Sequence, residues 1–153
     1  MLRAKKCLFP AILIILASNT LYSQTEGFGA GIILGEPSGL TAKFWINNQN
    51  ALDLAVAWSL VSEMQLHVHG DYLFHFLDLF PVPKGYLPLY VGAGARAKIT
   101  AVTPQIGIRA PVGLAYLFEN APIEIFLEIA FIMDLFPATN ASGGGGIGIR
   151  YFF

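Results

Sequence analysis

Three residues with metal-binding side chains alternate along one short segment, at His67, His69 and Asp71, and His75 follows four positions later. In a strand, every second side chain points to the same face, so a strand here would gather all four on one side. Histidines spaced in this way can share a metal ion. No second cluster of ligands elsewhere in the sequence completes such a site, and hydrogen bonding to neighbouring charges is the simpler explanation. We therefore predict no metal ion and no other cofactor.

Ser59 and His67 suggest a second kind of chemistry, because acyl hydrolysis needs serine, histidine and a carboxylate within hydrogen-bonding reach. A lipid-modifying enzyme must present these groups to a substrate that arrives from the membrane. The alternation described below directs both side chains to the opposite, polar face. We predict that the protein is not an enzyme, and a lipid-modifying enzyme is the least favoured alternative.

Ten charged residues share a third pattern, in which each charge alternates with apolar residues and has small residues nearby. They are the cations Lys43, Arg96, Lys98, Arg109 and Arg150, and the anions Asp53, Asp71, Glu124, Glu128 and Asp134. An unpaired buried charge costs several kcal/mol, so ions that share an enclosed face need partners. Equal numbers of positive and negative charges predict a paired network.

The predicted turns suggest which charges face one another. A three-residue turn between the second and third strands sets Lys43 opposite Asp53. A long final loop centred near Thr139 sets Glu128 opposite Arg150. We expect these two pairs to belong to the network.

The elements that must position these residues are eight predicted β-strands, separated by clusters of Gly, Pro and Asn that end strands. They span residues 27–34, 40–46, 51–59, 65–75, 87–98, 105–117, 123–135 and 145–153. The connections at one end are predicted to be short loops at residues 35–39, 60–64, 100–104 and 137–144. Most connections are too short for a crossover helix, so neighbouring strands should pair antiparallel.

The phase of the alternation separates two faces of every strand. In the third strand, Leu52, Leu54 and Val56 share one face, while Asp53 and Ser59 lie on the other. The same separation holds along the chain, and the polar face is also the one rich in small residues. A soluble barrel would show the reverse, with apolar residues inside, and a soluble β-sandwich is the remaining alternative. We predict a membrane barrel with a narrow polar lumen and a lipid-facing exterior.

The composition supports the same prediction. Of 153 residues, 55% are hydrophobic and only 12% are charged, about half the charged fraction of ordinary soluble domains. The sequence has no stretch of about 18 uncharged apolar residues, which a spanning helix needs. Because only helices and closed barrels satisfy the backbone in lipid, a barrel is the membrane structure that this sequence can form.

The first residues have the pattern of a secretory signal peptide. Arg3, Lys5 and Lys6 precede an apolar segment at residues 8–17, and small residues follow it. We predict a signal peptide at residues 1–23, cleaved after Ser23, and a barrel at residues 24–153. A short helical anchor is the alternative.

Cleavage would leave a chain without cysteine and with a mild negative charge. Cys7 lies at the start of the apolar segment, whereas a lipoprotein cysteine would follow it, so it should be removed with the signal. Six basic residues then remain against ten acidic ones, a net charge of −4. Disulfides and cysteine–metal sites are excluded, and no basic patch indicates nucleic acid.

The last strand alternates apolar residues up to a final aromatic one, at Ile149, Tyr151 and Phe153. It resembles the terminal strand of bacterial outer-membrane proteins, and the whole predicted barrel resembles the OmpA transmembrane domain and OmpX. Residues 34–40 and 70–75 are similar to an uncharacterised family of short outer-membrane barrels in spirochaetes and related diderm bacteria. Unlike full-length OmpA, the protein is expected to end with the barrel, so a cell-wall tether through a peptidoglycan-binding domain is not implied. Unlike OmpX, it has short loops.

These resemblances imply an outer-membrane location, contact with outer-membrane lipid, and recognition of the final strand by the barrel-assembly machinery. We expect a monomeric, non-enzymatic barrel with a structural or surface-interaction role, whose lumen the charge network plugs. A small pore or transporter for ions or small solutes is the alternative function.

Overall fold

The computed structural model describes residues 25–59 and 65–153. The predicted signal peptide, Cys7 and the predicted loop at residues 60–64 lie outside them. The described strands are β1 (Phe28–Glu36), β2 (Ser38–Trp45), β3 (Asn50–Trp58), β4 (Leu66–Phe76), β5 (Leu89–Ile99), β6 (Gln105–Leu117), β7 (Ile123–Phe136) and β8 (Asn140–Phe152). Within the described part of the chain, no helix is long and apolar enough to cross a membrane.

The strands form one closed antiparallel barrel in sequence order, which confirms the predicted fold. β1 closes the barrel by pairing with β8, from Gly29 opposite Phe152 to Glu36 opposite Gly145. We call the end that holds Phe28 and Phe152 the terminal end. The opposite end, where β1 turns into β2 and β7 turns into β8, is the distal end.

The first distal connection is much tighter than the sequence suggested. The predicted loop at residues 35–39 is wrong, because β1 continues to Glu36 and β2 begins at Ser38. The Ser38 hydroxyl donates a hydrogen bond to the Gly35 carbonyl (2.8 Å) and accepts one from the Gly35 amide (3.0 Å). These bonds replace part of the strand pairing and allow the chain to reverse around Pro37. Glu36 is therefore a strand residue.

The last distal connection is also shorter than predicted. The loop predicted at residues 137–144 is wrong, since β8 already begins at Asn140. Its glycines extend the ladder with β7, where Gly143 lies opposite Phe131 and Gly144 opposite Ala130. Glycine clusters often end strands, but here extended glycines pair as ordinary strand residues.

The distribution of side chains is inverted relative to a soluble barrel. Eight of the ten predicted network charges are buried inside the barrel, and Arg96 and Lys98 are half-buried at its distal end. Large apolar side chains cover the outside, for example Leu54 at 59% exposure. The predicted assignment of faces, with charges inside and apolar residues outside, is confirmed.

The terminal end of the lumen is filled by apolar side chains. Trp45, Ala51, Leu117 and Phe152 form a buried cluster there. We call this cluster the terminal plug. A second buried cluster lies against the charged residues and includes Leu73, Tyr90 and Phe126. The interior is therefore packed at one end.

The close packing of β1 against β8 leads to a first prediction, for Gly31→Ala. A Cβ at Gly31 would lie 2.7 Å from the Cα of Arg150, closer than real Cβ atoms approach backbone. Overpacking of this kind costs about 1–3 kcal/mol, and we expect that loss in the free energy of unfolding measured by urea titration. Gly143→Ala is the matched control, because the nearest atom to its Cβ is 3.7 Å away. Equal stability of the two variants would contradict the prediction.

Candidate functional site

The first group of lumen charges is centred on Arg150, which is 1% exposed. Its guanidinium donates hydrogen bonds to Asp53 (2.7 Å), to Glu124 (2.6 Å) and twice to the Thr41 hydroxyl (2.7 and 3.1 Å). Lys43 donates to the other carboxylate oxygen of Glu124 at 2.8 Å. Two cations and two anions therefore neutralise one another in a site almost without solvent contact. We call these four charges with Thr41 the Arg150 group.

One of the two predicted facing pairs occurs and the other does not. Lys43 lies directly opposite Asp53 in the register of β2 and β3, as expected, although its ammonium bonds to Glu124. The predicted pairing of Glu128 with Arg150 is wrong, because the register sets Arg150 opposite Glu124. The cause is the shorter β7–β8 connection, which moves the whole pairing by four residues.

A second group is centred on Arg109, one layer nearer the distal end. Its guanidinium forms ion pairs with Asp71 and with Glu128. The Tyr90 hydroxyl donates a hydrogen bond to Glu128 at 2.8 Å. Oδ1 of Asp71 is buried without a hydrogen-bond partner, which leaves this layer with one unsatisfied acceptor.

The third group is a single ion pair, Arg96 with Asp134, at the distal end. The Arg96 guanidinium reaches both carboxylate oxygens of Asp134, at 2.7 and 2.8 Å, and the Ser142 hydroxyl at 3.5 Å. Lys98 lies nearby on the same strand, and no described residue forms an ion pair with it. In the described part of the chain, nine of the ten predicted charges thus form three separate groups in one lumen, and Lys98 belongs to none of them.

Among the described residues, two spaces lie in the distal half of the lumen. A cavity of about 250 Å³ lies at the distal end, lined by residues that include His67, Arg96 and Lys98. A space of about 20 Å³, enough for one water molecule, leads from it towards Arg109 and Glu128. The terminal plug fills the other end. The interior is therefore a pocket that opens towards the distal end.

The histidines that suggested a metal site make different contacts and do not converge on one point. His69 Nε2 lies 3.9 Å from Asp71, His75 Nδ1 lies 3.1 Å from the Gln49 carbonyl, and the His75 ring packs on Trp45. Among residues 25–59 and 65–153, no three histidine, cysteine, aspartate or glutamate side chains are placed to hold a metal ion. The Nε2 atoms of His67 and His75 are both buried without a hydrogen-bond partner, and of these two residues His67 is the one that lines the distal cavity.

The Ser59 hydroxyl, considered as a nucleophile, donates its hydrogen bond to the Glu36 carboxylate. A serine nucleophile needs its proton directed at a base such as an imidazole. Here the proton is directed at a carboxylate, and the His67 Nε2 has no partner. This geometry does not form the relay that acyl hydrolysis uses.

Several residues that complete the site were not predicted from the sequence. Thr41 bridges Arg150 and Asp53, and its position two residues before Lys43 on the same face was the available signal. Phe126 carries the Arg150 guanidinium 3.8 Å above its ring, a cation–π contact that no sequence pattern indicates. Gly148, opposite Phe126, leaves the space that this ring occupies.

The predicted assembly residues Ile149, Tyr151 and Phe153 all project outwards near the terminal end. The Tyr151 and Phe153 rings pack edge to face with centroids 5.2 Å apart. Phe153 also stacks against Phe28 of β1 at 6.4 Å. These contacts place an aromatic cluster on the outer surface where the first and last strands meet.

Comparison with known proteins identifies the fold. No protein-family model and no curated protein matches the sequence. Among solved structures, the crystal structure of the N-terminal β-barrel domain of Pseudomonas aeruginosa OprF is similar, with a TM-score of 0.63 and 16% sequence identity. The match covers 82% of this chain and 95% of that one. The chain therefore shares the eight-stranded barrel fold of the OprF N-terminal domain.

Proposed function

We propose that this protein is an integral outer-membrane β-barrel with a non-enzymatic, structural or surface-interaction role. The observation that carries the proposal is the inverted surface, with ions inside and large apolar side chains outside around the whole barrel. Water-facing surfaces rarely present so much continuous apolar area, whereas the lipid-facing band of a membrane barrel requires it. The finer assignment, to short barrels of spirochaetes and related diderm bacteria, rests on the sequence motifs and belongs to this proposal.

A closed lumen is the second part of the proposal. The Arg150 group and the ion pairs of Arg109 cross the interior, and the terminal plug fills the end beyond them. Breaking such buried ion pairs costs several kcal/mol, so a permeating ion would have to displace tightly held groups. This arrangement supports a plugged barrel over the alternative, a pore for ions or small solutes.

The partners follow from the location. Outer-membrane lipid contacts the apolar exterior, and the barrel-assembly machinery recognises β8 through Ile149, Tyr151 and Phe153. The outward position of these three side chains, next to the β1–β8 seam, supports this part of the proposal. A monomer is proposed because closure of the sheet leaves no open strand edge along most of the barrel.

Recording from planar bilayers tests the closed barrel. Folded protein should migrate differently on SDS gels before and after boiling, and after insertion it should give no stable unitary conductance. The gel shift is the control for folding, and flotation with lipid vesicles is the control for insertion. A large, stable conductance from inserted protein would replace the plugged barrel with the pore. Absence of both the gel shift and flotation would contradict the membrane barrel itself.

A further inference from the structure

The distal cavity and a groove on the outer wall of the barrel share part of their lining. The cavity has a volume of about 250 Å³ and lies inside the lumen, while the groove has about 680 Å³ and lies outside it. Glu36, Ser142, Gly143 and Gly144 line both spaces. The lumen and the outer surface of the barrel therefore approach each other at one place in the wall.

Unequal strand lengths create this place. β1 ends at Glu36, opposite Gly145 of β8, whereas β8 begins at Asn140. Residues 140–144 of β8 consequently pair with β7 alone. At about 3.3 Å per residue, these five residues amount to roughly 16 Å of strand that no other described strand pairs on the β1 side. We call this gap beside β8 the notch.

The groove outside the notch is apolar and has a flat floor. Ala141, Gly143 and Gly145 form a single row of small residues along β8, and Ile129 and Phe131 of β7 rise beside it. The nearest atom to a Cβ built on Gly143 is 3.7 Å away, so the surface above this glycine is open. A single row of this kind fits one extended hydrocarbon chain.

The cavity inside the notch is polar, and two of its lining side chains lack partners among the described residues. His67 is 7% exposed and its Nε2 has no hydrogen-bond partner, although the residue lines the cavity. Lys98 also lines the cavity and forms no ion pair with any described residue, while Arg96 is neutralised by Asp134. Glu36 at the notch accepts a hydrogen bond from Ser59. Lys98 thus favours an acceptor with negative charge, and the tautomer of His67 with its proton on Nε2 can donate to the same acceptor.

We propose that the notch binds a single-chain lipid with an anionic headgroup. The chain lies in the outer groove, and the headgroup passes beside Gly143 and Gly144 to contact Lys98 and His67. The inference rests on the proposed membrane insertion, because only an inserted barrel would have lipid chains along its outer wall. The negative charge of Glu36 opposes the headgroup, so removing that charge should strengthen binding.

Palmitate is the probe for this site, and its binding to the barrel in phosphatidylcholine nanodiscs can be measured by NMR of the labelled carboxylate. Loss of a charged hydrogen-bond donor should weaken binding about tenfold in Lys98→Gln. Glu36→Gln should strengthen it, and Gly143→Leu should abolish it by filling the groove. Ala93→Leu is the matched control, since Ala93 is an exposed, outward residue of β5 away from the notch.

The outcomes separate this inference from the function that it rests on. A chain without the heat-dependent gel shift and without flotation would contradict membrane insertion. If the inserted barrel binds no palmitate, only the lipid site is overturned. The same holds if the Gly143→Leu variant binds palmitate as well as the unsubstituted barrel does. Butyrate binding as tightly as palmitate would also overturn it, because the groove would then contribute nothing. Stronger binding of hexadecyltrimethylammonium than of palmitate would show that the headgroup has the wrong sign.

Discussion

Arg150→Met is expected to lower the free energy of unfolding by about 3–5 kcal/mol, the cost of leaving buried carboxylates without their cation. Asp53 loses its ion pair entirely, and Glu124 keeps only Lys43. Methionine retains much of the side-chain volume above Phe126, so the loss of stability is caused by the missing charge and not by a cavity. Urea titration of the folded barrel in detergent, followed by tryptophan fluorescence and by the gel shift, measures the effect.

Two further variants isolate the cause of that loss. Lys98→Met removes a lumen cation that has no ion pair among the described residues, and we expect a change of about 1 kcal/mol or less. Adding Asp53→Asn to Arg150→Met removes the carboxylate that has lost its cation, and should recover part of the stability. If Arg150→Met costs no more than Lys98→Met, the Arg150 group does not stabilise the barrel.

Leu54→Arg should destabilise the barrel in a lipid bilayer by about 2–4 kcal/mol, because a cation near the middle of the lipid-facing band must leave water. Leu54 is at the centre of β3, points outwards and is 59% exposed. In a water-facing barrel, the same substitution would replace an exposed leucine by an arginine with little effect. Reversible urea unfolding from phosphatidylcholine vesicles is the measurement.

Val102→Arg is the matched control for this prediction. Val102 is 93% exposed but lies in the distal connection between β5 and β6, outside the strands. We expect its substitution to change stability by no more than about 0.5 kcal/mol. Equal, small effects of the two arginines would argue that the outer face of the barrel meets water.

The alternation of side chains made the fold predictable, because a period of two residues and the segregation of charge are both local properties. Asp53 between Leu52 and Leu54 already distinguishes inside from outside without any knowledge of the partner strand. The distal turns were not predictable in the same way. Gly143 and Gly144 have the composition of a loop, and only pairing with β7 shows that they continue a strand.

The ionic contacts were less predictable than the positions of the ions. Register identifies neighbours along adjacent strands, and it correctly set Lys43 opposite Asp53. The ammonium of Lys43 nevertheless bonds to Glu124 on β7, five strands later in the sequence. Contacts across a lumen depend on barrel curvature and on the direction of long side chains, and neither is encoded in pairwise spacing.

The Arg150 group also has a consequence for how the chain folds. Arg150 lies on the last strand, and its partners Asp53 and Thr41 precede it by 97 and 109 positions. These bonds cannot form until nearly the whole chain is in place, and such a high contact order slows folding. Until β8 docks, Asp53 lacks its cation, so partly folded chains gain little from the first strands. Closure of the barrel and neutralisation of Asp53 are therefore the same late event.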